Sequence, residues 1–191
     1  VRMMTMTADY IIDGLHCRDH HFQIPLDHQQ PHGEQLTVFA REVASSEGWQ
    51  QELPYLVFFQ GGPGFAAGRP FGLDGWIKAA ARHYRVLLLG QRGTGCSSPL
   101  SAQTLAAMPS ARAQAEYLGH FRADNIIRDA EWIRQRLIGD QPWSILGQSF
   151  GGFCVLRYLS SAPHGLAQAF ITGGIPSLTR SASDVYQATF K

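Results

Sequence analysis

Trp143-Ser144-Ile145-Leu146-Gly147-Gln148-Ser149-Phe150-Gly151-Gly152 is the stretch on which the fold turns. An apolar run stops at a glycine, a serine follows with a glycine two residues to either side, and small and apolar residues continue to Ser160. That pattern predicts a strand, a sharp turn and a helix, with Gly147 to Gly151 matching G-x-S-x-G. A turn this tight forces its central residue into unfavourable φ/ψ, and the flanking glycines remove Cβ atoms that would strike the neighbouring strand and helix. Ser149 would then stand above the carboxyl end of a sheet, at the positive end of a helix dipole. The plainer alternative is an ordinary βα turn in which Ser149 is only a helix N-cap. Its surroundings decide between them.

Working outward, three more short apolar runs end in glycine. Tyr55-Leu56-Val57-Phe58-Phe59 leads into Gly61-Gly62-Pro63-Gly64, and Arg85-Val86-Leu87-Leu88-Leu89 into Gly90-Gln91-Arg92-Gly93-Thr94-Gly95. Residues 167–171 lead into Gly173-Gly174. Apolar runs without polar alternation are what strands covered on both faces require. Helical patterns lie between them at 76–83, 123–138 and 150–160. In the second, Ile126, Ala130, Ile133 and Leu137 form one stripe, and Arg128, Asp129, Arg134 and Gln135 are expected to face away. The third is apolar on most sides and is expected to be buried. Residues 19–26 and 35–43 read as an antiparallel hairpin around a turn at 29–33. Residues 96–120, with Pro99 and Pro109, are expected to make an excursion over the sheet. The fold class is therefore α/β, a mostly parallel sheet with an N-terminal antiparallel hairpin.

The second glycine turn supplies what the first would need. A tetrahedral intermediate develops negative charge, which is stabilised by backbone N–H groups with nothing in front of them. Gly61, Gly62 and Gly64 let the backbone approach, and Pro63 stiffens the loop. The amides of Gly62 and Phe150 are the expected oxyanion pair, with Gly61, Pro63, Gly64, Gly147 and Gly151 as supporting loop residues and Ser149 as nucleophile.

Taken together, Phe59-Gln60-Gly61-Gly62-Pro63-Gly64, Gln91-Arg92-Gly93-Thr94-Gly95-Cys96-Ser97 and Gly147-Gln148-Ser149-Phe150-Gly151-Gly152 resemble the prolyl aminopeptidases (proline iminopeptidases). The resemblance implies an α/β-hydrolase core, a serine peptidase activity that removes an N-terminal proline from peptides, and no cofactor. It implies a core portion over residues 1–175 and the opening of a cap domain over 176–191. Two positions depart from the family pattern: Gln60 stands where His is usual, and Gly90 where Asp is usual. The second departure is expected to leave the Arg92 guanidinium without a carboxylate partner.

A serine nucleophile needs a base and an acid that orients it, in the chain order serine, acid, histidine. After Ser149 the chain offers only His164, at the far end of the helix that Ser149 begins, and Asp184, in the expected cap. A truncated hydrolase is expected, with its acid and histidine beyond Lys191 and little peptidase activity in isolation. The last strand, 167–172, is expected to be an exposed sheet edge prone to aggregation. An esterase or amidase of the same fold, and a non-catalytic binding module, are the alternative functions.

Composition narrows the remaining classes. Sixteen Lys and Arg against fifteen Asp and Glu, with no basic run, argue against a nucleic-acid protein held by phosphate neutralisation. No stretch approaches a membrane-spanning length of apolar residues. Three widely spaced cysteines, Cys17, Cys96 and Cys154, fit reduced thiols. No apolar stretch of signal-peptide length precedes Asp9 and Asp13, so an uncleaved, cytoplasmic chain is expected. His16, Cys17, Asp19, His20 and His21 have metal-ligating chemistry, but His20 and His21 would point to opposite faces of a strand, so no metal site is expected. Gly93-Thr94-Gly95 is a fragment of a dinucleotide fingerprint with Ser98 where a third glycine is needed, and neither Lys78 nor Lys191 follows a glycine-rich loop. Cys96 and Cys154 are expected to be inert packing residues, and nothing in the chain fixes an oligomeric state.

Overall fold

The computed structural model describes residues 4–174, 177 and 179–190. In chain order the elements are β1 (Met4–Met6), β2 (Tyr10–Ile12), β3 (Leu15–Pro25), β4 (Gln35–Ser45), α1 (Ser46–Trp49), β5 (Tyr55–Phe59), α2 (Gly75–Ala80) and β6 (Arg85–Leu89). They continue with α3 (Ala102–Ala106), α4 (Ala111–Leu118), α5 (Ala123–Ile138), β7 (Trp143–Gln148), α6 (Phe150–Ser161), β8 (Leu166–Thr172) and α7 (Ala182–Thr189). The eight strands form one sheet in the order β1-β3-β4-β6-β5-β7-β8, with β2 also paired to β3. β5 to β8 are mutually parallel, and β1 to β4 are joined to them through the antiparallel pairing of β4 with β6.

Strand alternation divides the core in two. Val57 and Phe59 of β5, Leu87 and Leu89 of β6 and Ile145 of β7 face one side, where Ile126, Ile127, Ala130 and Ile133 of α5 and Cys154, Val155 and Tyr158 of α6 cover them. Phe58, Val86 and Leu88 face the other, against Ile77 of α2 and Ala81. Both parities are apolar because both faces are buried, and the α/β class expected from the sequence is what forms. Burying one leucine-sized side chain contributes roughly 1.5–3 kcal/mol, so these two layers carry most of the folding drive.

The antiparallel hairpin forms as expected, as β3 paired with β4; some other expectations gain detail and some are corrected. The N-terminal hairpin is extended by two further strands, β1 and β2, which pair side by side along β3. Residues 96–120 hold two short helices, each begun by a serine whose hydroxyl accepts an N–H of the first turn: Ser101 from Thr104 and Ser110 from Ala113. α6 is buried on one face only, and Phe153 and Leu159 are exposed. Asp129 and Arg134, expected to face solvent, are buried. Arg134 donates to Glu131 on its own helix and to the carbonyls of Gly139 and Gln141, satisfying groups at the helix C-terminus. Asp129 receives Arg92, described below.

β8 pairs only with β7 among the described strands, and most of its residues are exposed. α7 opens with a reciprocal cap between Ser181 and Asp184. The boundary expected between residues 175 and 176, the chain start at Val1 and its end at Lys191 lie outside the described residues. Among the described residues no helix is long and apolar enough to cross a membrane.

Candidate active site

Ser149 sits between β7 and α6 with φ 53° and ψ −117°, a left-handed conformation that side chains other than glycine rarely adopt. Its carbonyl accepts the N–H groups of Gly152 (2.8 Å) and Phe153 (3.3 Å), so the residue occupies the N-cap position of α6. Its hydroxyl caps nothing and makes no hydrogen bond among the described residues. The residue is exposed. A serine serving as an N-cap would turn its oxygen onto the first-turn amides. Here the hydroxyl accepts no such bond, and the plain N-cap alternative fails.

The neighbours hold this strain in place. The Ser149 amide donates to the Thr172 carbonyl at 3.1 Å, tying the elbow to the end of β8. A Cβ on Gly151 would overlap the Phe59 carbonyl at the end of β5, and one on Gly147 would overlap the Gly151 carbonyl. These close approaches bring α6 down onto the sheet. Beneath them the indole of Trp143 donates to the Tyr158 hydroxyl at 3.0 Å, and that hydroxyl donates in turn to Glu131, so strand, elbow helix and α5 share one buried polar chain. Burial pushes the Tyr158 hydroxyl well above its ordinary value, and the bond to Glu131 adds to this.

The second glycine turn lies against the first. A Cβ on Gly61 would come 3.1 Å from the Ser149 Cβ and 3.0 Å from the Gln148 carbonyl oxygen. Gly62, with φ 131°, precedes Pro63 through a cis peptide bond, and Gly64 also has a positive φ of 95°. The Gly61 amide is taken by its neighbour's side chain, the Gln60 Oε1, at 3.1 Å. The amides of Gly62 and Phe150 donate to no acceptor among the described residues. Both are therefore left without an intramolecular partner among the described residues.

Sequence reading missed what fixes this loop. Gln91, almost fully buried, donates its Nε2 hydrogen to the Gln60 carbonyl at 3.0 Å, and the Thr94 hydroxyl donates back to the Gln91 carbonyl at 2.7 Å. Gln60, a departure from the family pattern, thus works from both ends: its side chain holds the Gly61 amide, and its carbonyl is held by Gln91. A buried amide side chain in an otherwise glycine-rich loop was the available signal, since it has to find partners.

Nor does Gly90 leave its loop unsupported. A Cβ there would lie 2.7 Å from the Ser97 Oγ and 3.0 Å from the Phe39 carbonyl oxygen, and the Ser97 hydroxyl fills the space by donating to the Gly90 carbonyl at 2.7 Å. The Arg92 guanidinium, expected to lack a partner, is fully bonded: Nε and Nη2 grip Asp129 at 2.7 and 2.5 Å. Its remaining hydrogens reach the carbonyls of Leu26, His120 and Pro25. All five donors are satisfied, as a buried guanidinium requires. His28 adds its Nε2 to the same Asp129 oxygen at 2.8 Å.

Other candidate groups have separate places. His164 is exposed, 4.0 Å from Glu131, and Asp184 caps α7; neither bonds to the Ser149 hydroxyl. His20 is buried against Glu42 at 2.8 Å, whereas His21 packs on the Phe39 ring. Cys154 is buried, and burial pushes its thiol up to about 12. Cys96 is exposed and is no packing residue. Beside the elbow lies a cleft of about 450 Å³ that includes Pro63 and Phe150. A smaller hollow of about 220 Å³ shares Pro63, Phe121 and Phe150 with it.

A strained, exposed serine between a central parallel strand and its helix, beside a glycine loop with a free amide, defines the α/β-hydrolase class. A family model for the alpha/beta hydrolase fold matches residues 54–189, and the chain belongs to that family. It is 52% identical over 189 residues to a proline iminopeptidase of Aeromonas sobria, covering 98% of this chain and 44% of that protein. It is 42% identical over 159 residues to a proline iminopeptidase of Aspergillus aculeatus, covering 80% of this chain and 36% of that one. The chain thus spans less than half the length of these relatives. The fold is similar to that of a probable hydrolytic enzyme of Pseudomonas aeruginosa (TM-score 0.57, 20% identity, 89% of this chain and 48% of that one). It is similar too to a thioesterase domain of the curacin biosynthetic pathway (TM-score 0.54, 16% identity, 96% and 52%).

Proposed function

We propose that the chain is the nucleophile-bearing part of a serine peptidase that releases proline from the N-terminus of peptides. The observation that carries this reading is the Ser149 elbow, strained at φ 53° with an unengaged hydroxyl beside the free amides of Gly62 and Phe150. Similarity to the two proline iminopeptidases supports proline as the residue released.

In this reading Ser149 Oγ attacks the prolyl carbonyl carbon, and the carbonyl oxygen takes up negative charge between the Gly62 and Phe150 amides. The histidine that takes the Ser149 proton passes it to the leaving nitrogen, so that collapse expels the amine of the following residue, and water then releases proline from the acyl-enzyme. The positive end of α6 favours the same charge. Gln60 and Gln91 act as positioning residues for the loop, and the acid and the histidine come from polypeptide beyond the 191 residues. The 191-residue chain by itself then turns over little, and residues 176–191 open a cap domain.

The test is made on the full-length protein with proline naphthylamide, p-nitrophenyl esters and a fluorophosphonate. Fast release of naphthylamine, lost together with fluorophosphonate labelling in Ser149→Ala, is expected. Ester turnover without proline naphthylamide turnover would assign an esterase instead, and absence of labelling a binding module.

A further inference from the structure

A peptide that begins with proline has opposite charges at its two ends. A secondary ammonium sits beside the scissile carbonyl, and a carboxylate closes the far end. The cleft of about 450 Å³ beside the elbow distinguishes between them. Its lining is largely aromatic: Phe150 and Phe153 stack with ring centroids 6.1 Å apart, and Phe121 joins them. Its rim is cationic. Arg157 follows Phe153 by one helical turn of α6, and Arg122 precedes the first residue of α5. Both are exposed, and neither guanidinium has a hydrogen-bond or ion-pair partner among the described residues. The one carboxylate on the rim, Asp124, is 3.7 Å from Arg128. Two unpaired cations beside an apolar lining repel an ammonium and attract a carboxylate.

Resting on the peptidase reading above, we infer that this cleft is the subsite for the part of the substrate that leaves. An apolar side chain following the proline lies on Phe150 and Phe153, and the C-terminal carboxylate of a short peptide meets Arg157 and Arg122. The cleft begins at Phe150, whose amide is one of the two free donors. At about 3.3–3.6 Å per residue, the carboxyl carbon of a dipeptide lies one residue, about 3.3–3.6 Å, beyond the scissile carbonyl carbon, and the long arginine side chains that line the cleft span the remainder. A guanidinium pairs bidentately with a carboxylate, so the rim suits this group better than a neutral end. The enzyme would therefore favour dipeptides with an apolar second residue, Pro-Phe above Pro-Phe-amide.

Steady-state kinetics of the full-length protein on Pro-Phe and Pro-Phe-amide test this, with Arg157→Gln, Arg122→Gln and the double variant. At these exposed positions one charge-assisted contact is worth about a tenfold preference in kcat/KM for the free acid. The preference should shrink in each single variant, approach one in the double variant, and weaken as salt is raised. Equal rates for acid and amide in the unmodified protein would overturn the inference alone and leave the cleft to a neutral occupant, such as a cap segment. A preference that survives in the double variant would overturn it as well. If neither peptide is cut while esters are, the inference falls together with the peptidase reading.

Discussion

Replacing Ser149 by glycine should make the protein more stable, and replacing it by alanine should not. At φ 53° and ψ −117° the residue occupies a region that only glycine enters without steric cost. A residue held there stores about 1–3 kcal/mol. Its hydroxyl bonds to nothing among the described residues, so removing it forfeits no hydrogen bond. Ser149→Ala keeps the Cβ and the strain, and its stability should stay within about 0.5 kcal/mol of the parent. Ser149→Gly removes the strain but gives the unfolded chain more freedom, which costs about 0.5–1 kcal/mol. The balance is a gain of about 1 kcal/mol over the alanine variant and at most about 2.5 kcal/mol, equivalent to about 2–4 °C and at most about 10 °C in Tm for a chain of this size. Thermal unfolding of the three proteins followed by circular dichroism at one concentration and pH reads this difference. A glycine variant no more stable than the alanine variant would refute the claim that the elbow stores strain. Both variants should lose fluorophosphonate labelling, so the same site would show stability exchanged for a reactive geometry.

Asp129→Ala should cost about 3–5 kcal/mol in urea unfolding, because it strands a guanidinium whose side chain is 0% exposed; a cost below about 1 kcal/mol would mean that the pair is not the anchor of the 90–97 loop. Alkylation at about pH 8 should modify Cys96 in the native protein and spare Cys17 and Cys154, whose thiols burial pushes up to about 11 and about 12, until the chain unfolds; peptide mapping reads the order. Burial works to raise the Glu42 carboxyl, but hydrogen bonds from His20 and Arg85 prevail and hold it below the ordinary value. The stability it contributes is thus present above the unfolded carboxylate value of about 4.3 and lost as pH falls through its lower folded value. Glu42→Gln should flatten the acid limb of the stability curve between about pH 5 and pH 3, as followed by urea midpoints.

What the sequence disclosed is what lies in contiguous residues. β5, β6 and β7 are apolar at both parities because each has two covered faces, and the Ser149 turn is marked by glycines whose Cβ atoms would strike Phe59 and Gly151. Interactions of long sequence separation left weaker marks. The apolar stripe of α5 placed Ile126, Ala130 and Ile133 correctly, but the rule that polar neighbours face water misplaced Asp129. That rule holds for a helix packed on hydrocarbon alone. Here the surface beneath α5 includes the base of the 90–97 loop, and that loop buries a guanidinium supplied with no acid of its own. Five donors cannot be buried without acceptors, so the chain had to furnish a carboxylate from elsewhere. Of the acids on α5, Asp124, Asp129 and Glu131, the middle one has Ala130 next to it and Ile126 and Ile133 one turn away on either side. It is the acid most nearly on the buried stripe, and its short side chain can turn inward without leaving the helix. Hydrogen-bond satisfaction, applied to Arg92 before periodicity was applied to α5, selects Asp129 from the sequence. The same reasoning selects Gln91, whose side-chain amide had to be bonded once its loop packed against the glycine turn that follows β5, and which in the fold holds Gln60.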